Sequence, residues 1–236
     1  MKKINLFLIL FIFISSFLFA NPFSGNVSLI VIDAGHGGKD PGALSGEINE
    51  KDIVLAVSKY LYDNLKSDYN CVLTRDNDIF LELQERCDIA NSQAFDVNGY
   101  PIFISIHVNA ATSESANGFE LYIKDDEKKL SLLSKATSST LISKYSSYNN
   151  IMVNQYINKV NEYLASTIES SIKRAFPLYK NRGIKEGNLY VLNQTFMPAV
   201  LIELGFITNS DDRSNLINPE WQKKMADAIA SAIRSL

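Results

Sequence analysis

Only two histidines occur in the chain, His36 and His107, and each stands at the end of a strand-like apolar run. His36 follows Ser28 to Asp33 (SLIVID) and is wrapped by Gly35, Gly37 and Gly38, while His107 follows Ile102 to Ile106 (IFISI) and precedes Val108, Asn109 and Ala110. In open α/β sheets ligands bind outside the carboxyl ends of the strands. Glycines beside His36 let backbone and a bulky ligand approach without a Cβ in the way. One such histidine alone reads as a loop imidazole held by a hydrogen bond. Two at equivalent strand ends read as a pair of metal ligands. Imidazole pairs suit zinc, and a catalytic zinc site adds a third protein ligand and keeps a position for water. Glu50 leads the candidates for that ligand because it opens a helix directly after the glycine-rich loop 34–46. Asp52 and Glu47 qualify by position too, and an acid in a first helical turn also serves simply to complement the helix dipole.

A further carboxylate, Glu203, interrupts the otherwise apolar Pro198 to Phe206 (PAVLIELGF). Buried without a partner it would cost several kcal/mol, so it must pair, coordinate or hold a proton. Beside an ion-activated water it would be a general base, a role typically worth about 10²- to 10⁴-fold in rate. An ion pair with Arg75 or Arg182 satisfies the same residue equally well, and the sequence leaves both readings open. Other chemistries drop out. Gly35 to Asp40 (GHGGKD) is neither a dinucleotide-binding nor a phosphate-binding loop. The histidines are too far apart for H-E-x-x-H, and no G-x-S-x-G elbow is present.

Positioning these residues takes an α/β domain. Short β-branched runs alternate with helical-period stretches, which predicts a single domain with a mostly parallel twisted sheet flanked by helices, the active site lying at the carboxyl ends of the strands. Ile53, Val54, Val57, Leu61 and Leu65 recur every three or four residues and predict a helix over Glu50 to Leu65 with one apolar stripe. Further strands are expected at Ser28 to Asp33, Cys71 to Thr74, Ile102 to Ile106, Phe119 to Ile123, Leu189 to Leu192 and Val200 to Leu204. Helices are expected at Leu81 to Asn91, from Ile157 to near Pro177, and over Trp221 to Ile233. Between Asp125 and Asn150 the chain is polar and serine-rich, with Leu130, Leu133 and Leu141 suggesting one weakly amphipathic helix.

At 236 residues, 46% hydrophobic and 21% charged, the composition is that of an ordinary globular protein. Residues 1–20 differ: Lys2 and Lys3 precede an apolar run from Ile4 to Phe19 and a small residue, Ala20, which is the pattern of a secretory signal peptide cleaved after Ala20. The run is short for a membrane span of about 20 residues, so no stable membrane insertion is expected after cleavage. Without Lys2 and Lys3, 21 basic residues face 26 acidic ones, a net charge of about −5, and no basic excess exists to hold nucleic acid. Cys71 and Cys87 are too few for a disulfide-dependent scaffold and are expected as two buried thiols.

Six ordered blocks carry a family resemblance: Val31 to Ala43 (VIDAGHGGKDPGA), Glu50 to Asp52 (EKD), Leu73 to Arg75 (LTR), Ser105 to Ala110 (SIHVNA), Arg182 to Lys185 (RGIK) and Met197 to Asn209 (MPAVLIELGFITN). Together they resemble the zinc-dependent N-acetylmuramoyl-L-alanine amidases of the type-3 family. The resemblance implies that residues 21–236 form an amidase catalytic domain secreted across the inner membrane to the periplasm or cell envelope. It implies peptidoglycan as substrate, Zn2+ as cofactor, and His36, Glu50 and His107 as its ligands. The implied reaction is hydrolysis of the amide between N-acetylmuramic acid and the L-alanine of the stem peptide. There zinc acidifies water and polarises the carbonyl, while Glu203 takes the proton and passes it to the leaving amine. Asn109 is a candidate for orienting a ligand or substrate. The stretch from about 125 to 159 resembles an insertion which in some relatives carries a helix that covers the site until an activator protein displaces it. Glu127 is then a candidate plug onto the metal, and the plainer reading is a surface excursion. Two rival functions remain, another zinc peptidase of wall peptides and a non-catalytic wall-binding protein.

Overall fold

Seven of the eight residues of the first strand, β1 (Val27–Ala34), are buried, as a strand covered on both faces requires. In the structure, a computed structural model, residues 21–24, 26–93, 99–125 and 150–236 are described, the last range without the side chains of 150–154. A small antiparallel hairpin, β2 (Leu44–Ser45) and β3 (Ile48–Asn49), closes the loop after β1. The main sheet has six strands in the order β4-β1-β5-β8-β6-β7, with β4 Asn70–Leu73, β5 Tyr100–Asn109, β6 Phe119–Lys124, β7 Asn181–Gly187 and β8 Ala199–Phe206. All neighbours pair in parallel except β6 with β8. That reversal brings the amino ends of β6 and β7 to the same edge as the carboxyl ends of β1, β5 and β8.

Side chains alternate across the sheet. Ile30, Ile32, Ile104, Ile106, Val200 and Ile202 enter one core, covered by α1 (Glu50–Leu65), α3 (Asn150–Ala175) and α6 (Pro219–Arg234). Leu29, Val31, Phe103 and Leu201 enter the other, under α2 (Leu83–Gln93) and α4 (Tyr190–Gln194). A last short helix, α5 (Ser210–Leu216), is capped by the Asn209 side chain. The single-domain, mostly parallel α/β architecture is the one predicted, and α1 buries Ile53, Val54, Val57, Leu61 and Leu65, its predicted stripe.

Several elements differ from expectation. Leu189 to Leu192 is not a strand: Leu189 caps α4, whose Val191 and Leu192 are buried, and four apolar residues alone cannot separate the two periodicities. No sequence pattern announces β7, because its sequence NRGIKEG is polar and carries two glycines, a composition tolerated at a sheet edge. α3 begins at Asn150, so residues 150–159 belong to the helix that the pattern starts at Ile157. Glu127 and the weak leucine pattern of 130–141 lie outside the described residues, as do residues 1–20. Of the two cysteines only Cys87 is fully buried; Cys71 is half-buried on the opposite face of the sheet, and both are free. Burial pushes the Cys71 thiol up to about 11 and the Cys87 thiol up to about 12, so neither is a thiolate at neutral pH.

Candidate active site

β1 and β5 lie side by side with Ala34 opposite Ile106, and Gly35 N–H donates to the Ile106 carbonyl at 3.1 Å. The chain leaving β1 therefore delivers His36 next to His107, which lies inside β5, two residues before its end. Their ring centroids are 5.0 Å apart. His36 takes a positive φ of 57°, a strained choice for a non-glycine residue. The loop returns to α1 through Glu50 N–H to the Ala43 carbonyl and Lys51 N–H to the Pro41 carbonyl. Glu50 is consequently buried and fixed: its Oε2 accepts from Ala43 N–H at 2.8 Å and its Oε1 from Val108 N–H at 2.8 Å.

His36 Nε2 lies 3.2 Å from Glu50 Oε1, and His107 Nδ1 lies 2.9 Å from the same oxygen. One ligand atom from each of His36, Glu50 and His107 falls within 4.8 Å of the others, the spacing of a group that can hold a metal ion. Neither Asp52 nor Glu47 joins them among the described residues; Asp52 accepts from the Asn49 side chain instead. Burial opposes charge on His36, yet the hydrogen bond and charge of Glu50 outweigh it and hold the imidazole up at about 9. Burial likewise would raise the Glu50 carboxyl, but the two imidazoles hold it well below the ordinary carboxylate range. Two imidazoles competing for one buried carboxylate oxygen form the His/His/Glu donor set that suits zinc. Asp40 Oδ2, 2.7 Å from His36 Nδ1, orients the first of those rings.

Glu203 stands on β8 directly opposite His107 of β5. Neither suggested ion pair forms. Arg75 is spent on the carbonyls of Ala34, Gly35, Lys51 and Asn77, and Arg182 pairs with Glu120. Among the described residues Glu203 Oε2 is buried with no hydrogen-bond partner. Burial pushes this carboxyl up to about 7 although the charge of His107 pulls it down.

The model of the N-acetylmuramoyl-L-alanine amidase family matches residues 30–235. The chain belongs to this family. It is 38% identical over 217 residues to the uncharacterized protein YqiI of Bacillus subtilis, covering 92% of this chain and 87% of YqiI. N-acetylmuramoyl-L-alanine amidase AmiC2 of Nostoc punctiforme superposes with a TM-score of 0.68 at 33% identity, over 87% of this chain and 94% of that one. The CwlD amidase from Clostridioides difficile, solved in complex with the GerS lipoprotein, has a TM-score of 0.67 at 26% identity, over 88% of this chain and 97% of CwlD. The protein is thus an N-acetylmuramoyl-L-alanine amidase acting on peptidoglycan.

In this amidase the site rests on residues to which the motifs assign no role. Asp33, fully buried, accepts from Thr74 Oγ1 at 2.7 Å, Arg86 Nη1 at 2.9 Å and Ser105 Oγ at 2.8 Å. Burial would raise its carboxyl, and Arg86 with Thr74 holds it below the usual range. Arg86 also reaches the carbonyls of Ala34 and His36, each at 2.6 Å. With Arg75 it gathers the backbone of 34–36 from below and fixes the turn that aims His36. Arg75 stands in a family block, but Arg86 sits in a polar helix with no pattern to reveal it. Asn109, the candidate for orienting substrate, donates its Nδ2 to Glu120 Oε1 at 2.8 Å instead.

Gly35 has a steric reason to be glycine. A Cβ there would lie 2.3 Å from His107 Cε1 and 2.5 Å from its Nε2, so an alanine must displace the ring. Gly35→Ala is expected to weaken the affinity of this His/Glu/His group for added zinc about 10- to 100-fold, the range seen when a ligand loses its supporting contacts. Competition titration with a chromophoric chelator reads this directly, and an unchanged affinity would remove His107 from the ion's ligands.

Proposed function

We propose that His36, Glu50 and His107 hold a zinc ion and that Glu203 is the proton carrier for hydrolysis of the amide between N-acetylmuramic acid and L-alanine. The observation carrying this reading is the convergence of one ligand atom each from His36, Glu50 and His107 within 4.8 Å, with His36 Nε2 and His107 Nδ1 both at Glu50 Oε1 and Glu203 on the neighbouring strand opposite His107. When bound, the ion supplies Lewis acidity, which acidifies water and polarises a carbonyl. The protein supplies the rest. Asp40 and the backbone N–H groups of Ala43 and Val108 hold the ligand atoms in place before the substrate arrives. Glu203 Oε2, with no competing partner among the described residues, accepts a proton from the attacking water and returns it to the departing alanine nitrogen.

The leader pattern of residues 1–20 and the envelope location of the substrate support export to the periplasm or cell envelope, with no helix among the described residues long and apolar enough to cross a membrane. The CwlD–GerS complex supports a protein partner for this chain as well; relief of self-inhibition through the segment 125–159 rests on the sequence resemblance alone, beside the plainer reading of a surface excursion.

Mass spectrometry of the fragments released from purified peptidoglycan tests the reaction. Peptides beginning with a free L-alanine amine, abolished by a chelator and restored by zinc, are expected. Cleavage within the stem would instead identify a wall peptidase, and binding without release, persisting after residues 126–150 are deleted, a non-catalytic wall binder.

A further inference from the structure

Glu120 on β6 stands directly opposite Glu203 on β8, so the two carboxylates share one face of the sheet at its ligand-binding edge. Glu120 is 1% exposed and accepts four hydrogen bonds. Asn109 Nδ2 and Tyr122 Oη donate to its Oε1, each at 2.8 Å; Arg182 Nε at 2.7 Å and Lys185 Nζ at 2.6 Å donate to its Oε2. One buried negative charge thus anchors two cations. A fold that needed only to neutralise Glu120 would be served by one.

Both cations stay open to solvent, with side-chain exposures of 27% for Arg182 and 37% for Lys185. The Arg182 guanidinium lies over the Phe206 ring, 4.8 Å from its centroid, which fixes its plane. Among the described residues only its Nε–H is engaged, leaving the two terminal nitrogens as a fork, the arrangement that receives a carboxylate through two parallel hydrogen bonds. The two cations come from β7, two strands beyond the β8 of Glu203, and their charged ends meet at Glu120 on the strand between, on the side away from His36 and Glu50.

We propose that Arg182 and Lys185, positioned by Glu120, bind a free carboxylate of the stem peptide one residue beyond the alanine, and so select acidic over amidated stems. The proposal rests on the amidase site argued above, because the peptide must run from the reacting amide across β8 and β6 towards β7. Glu120 is a positioning residue: it touches no substrate and acts by holding the two cations.

The test uses the full protein and a pair of muropeptides that differ only in whether the α-carboxyl of the residue after L-alanine is free or amidated. The free acid is expected to show a KM about 10- to 100-fold lower, the size of charge-assisted hydrogen bonding. Arg182→Gln and Lys185→Gln should each pull the ratio of the two KM values towards one. Lys223→Gln, which removes an exposed charge on α6, should keep the ratio. Retention of the wild-type ratio in both site variants, or a fall confined to kcat for both substrates alike, overturns the proposal. If no variant or wild-type protein cleaves either muropeptide, the catalytic reading is what fails. NMR titration with the same two ligands then decides separately: tighter binding of the acid, lost in Arg182→Gln and Lys185→Gln, supports the cation pair, and equal affinities overturn it.

Discussion

Replacing Glu203 with glutamine is expected to slow release of stem peptides by about 10²- to 10⁴-fold while leaving zinc content unchanged. The expectation follows from what Glu203 does not do. It pairs with neither Arg75 nor Arg182, and its Oε2 has no hydrogen-bond partner among the described residues. Its removal therefore leaves the supports of the ligand set in place. The same burial makes a second, independent measurement available. A carboxyl raised from 4.5 to about 7 binds its proton more tightly in the folded than in the unfolded protein. Its contribution to stability is therefore fully present below pH 4.5 and lost as the pH rises through about 7. In the metal-free protein, Glu203→Gln is thus expected to be the more stable form above pH 7, by up to about 3 kcal/mol, with the difference vanishing below pH 4.5. Chemical denaturation of chelated wild type and variant at several pH values checks this. Full turnover in the variant would sink the proton-carrying role; equal stabilities at every pH would sink the account of its burial. A buried carboxyl that costs stability and whose Oε2 has no partner among the described residues is the pattern expected where a fold gives up stability for activity.

Those features of the site that depend on chain-local pattern are legible in the sequence. Each histidine ends an apolar run, the α1 stripe repeats at helical spacing, and Glu50 follows a glycine-rich loop, so their shared edge can be read from residue order alone. What stays hidden depends on contacts between distant segments. Glu120 reads as one polar residue in a short strand, and its cations come from 62 and 65 positions away. β7, which brings them, has the composition of a loop. The choice between a general base and an ion pair for Glu203 is undecidable from sequence for the same reason: it turns on where two arginines point, and both are committed elsewhere. Burial of Cys71 is the expectation for a thiol in general, but edge strand β4 leaves it half-covered.

The deepest of these hidden contacts carries the second large effect. Arg86→Ala is expected to destabilise the protein by about 3–5 kcal/mol at neutral pH, the usual result of removing one partner from a buried ion pair. The loss has two sources. Asp33 keeps a charge that Thr74 and Ser105 solvate only partly, and the carbonyls of Ala34 and His36 lose a donor. Because Asp33 has its carboxyl held below 3.8 in the wild type, its pairing contributes stability above that pH and loses it as the pH falls further. Without Arg86 the buried carboxyl takes up a proton more readily, so the gap between variant and wild type should narrow in acid. Arg86→Lys restores a charge but cannot reach Asp33 Oδ1 and the carbonyls of Ala34 and His36 together, and it should recover only part of the loss. Zinc affinity provides the link to function. The backbone Arg86 gathers is the turn that holds His36 at its positive φ, so the lysine variant, if folded, should bind zinc more weakly than wild type. A lysine variant with full stability and full zinc affinity would mean that the forked contacts are incidental and that the turn is held by Arg75 alone. A variant that loses stability but binds zinc as wild type does would confine Arg86 to the core. Loss of both together is the result the geometry demands, because the same two carbonyls close the core at Asp33 and aim the first histidine.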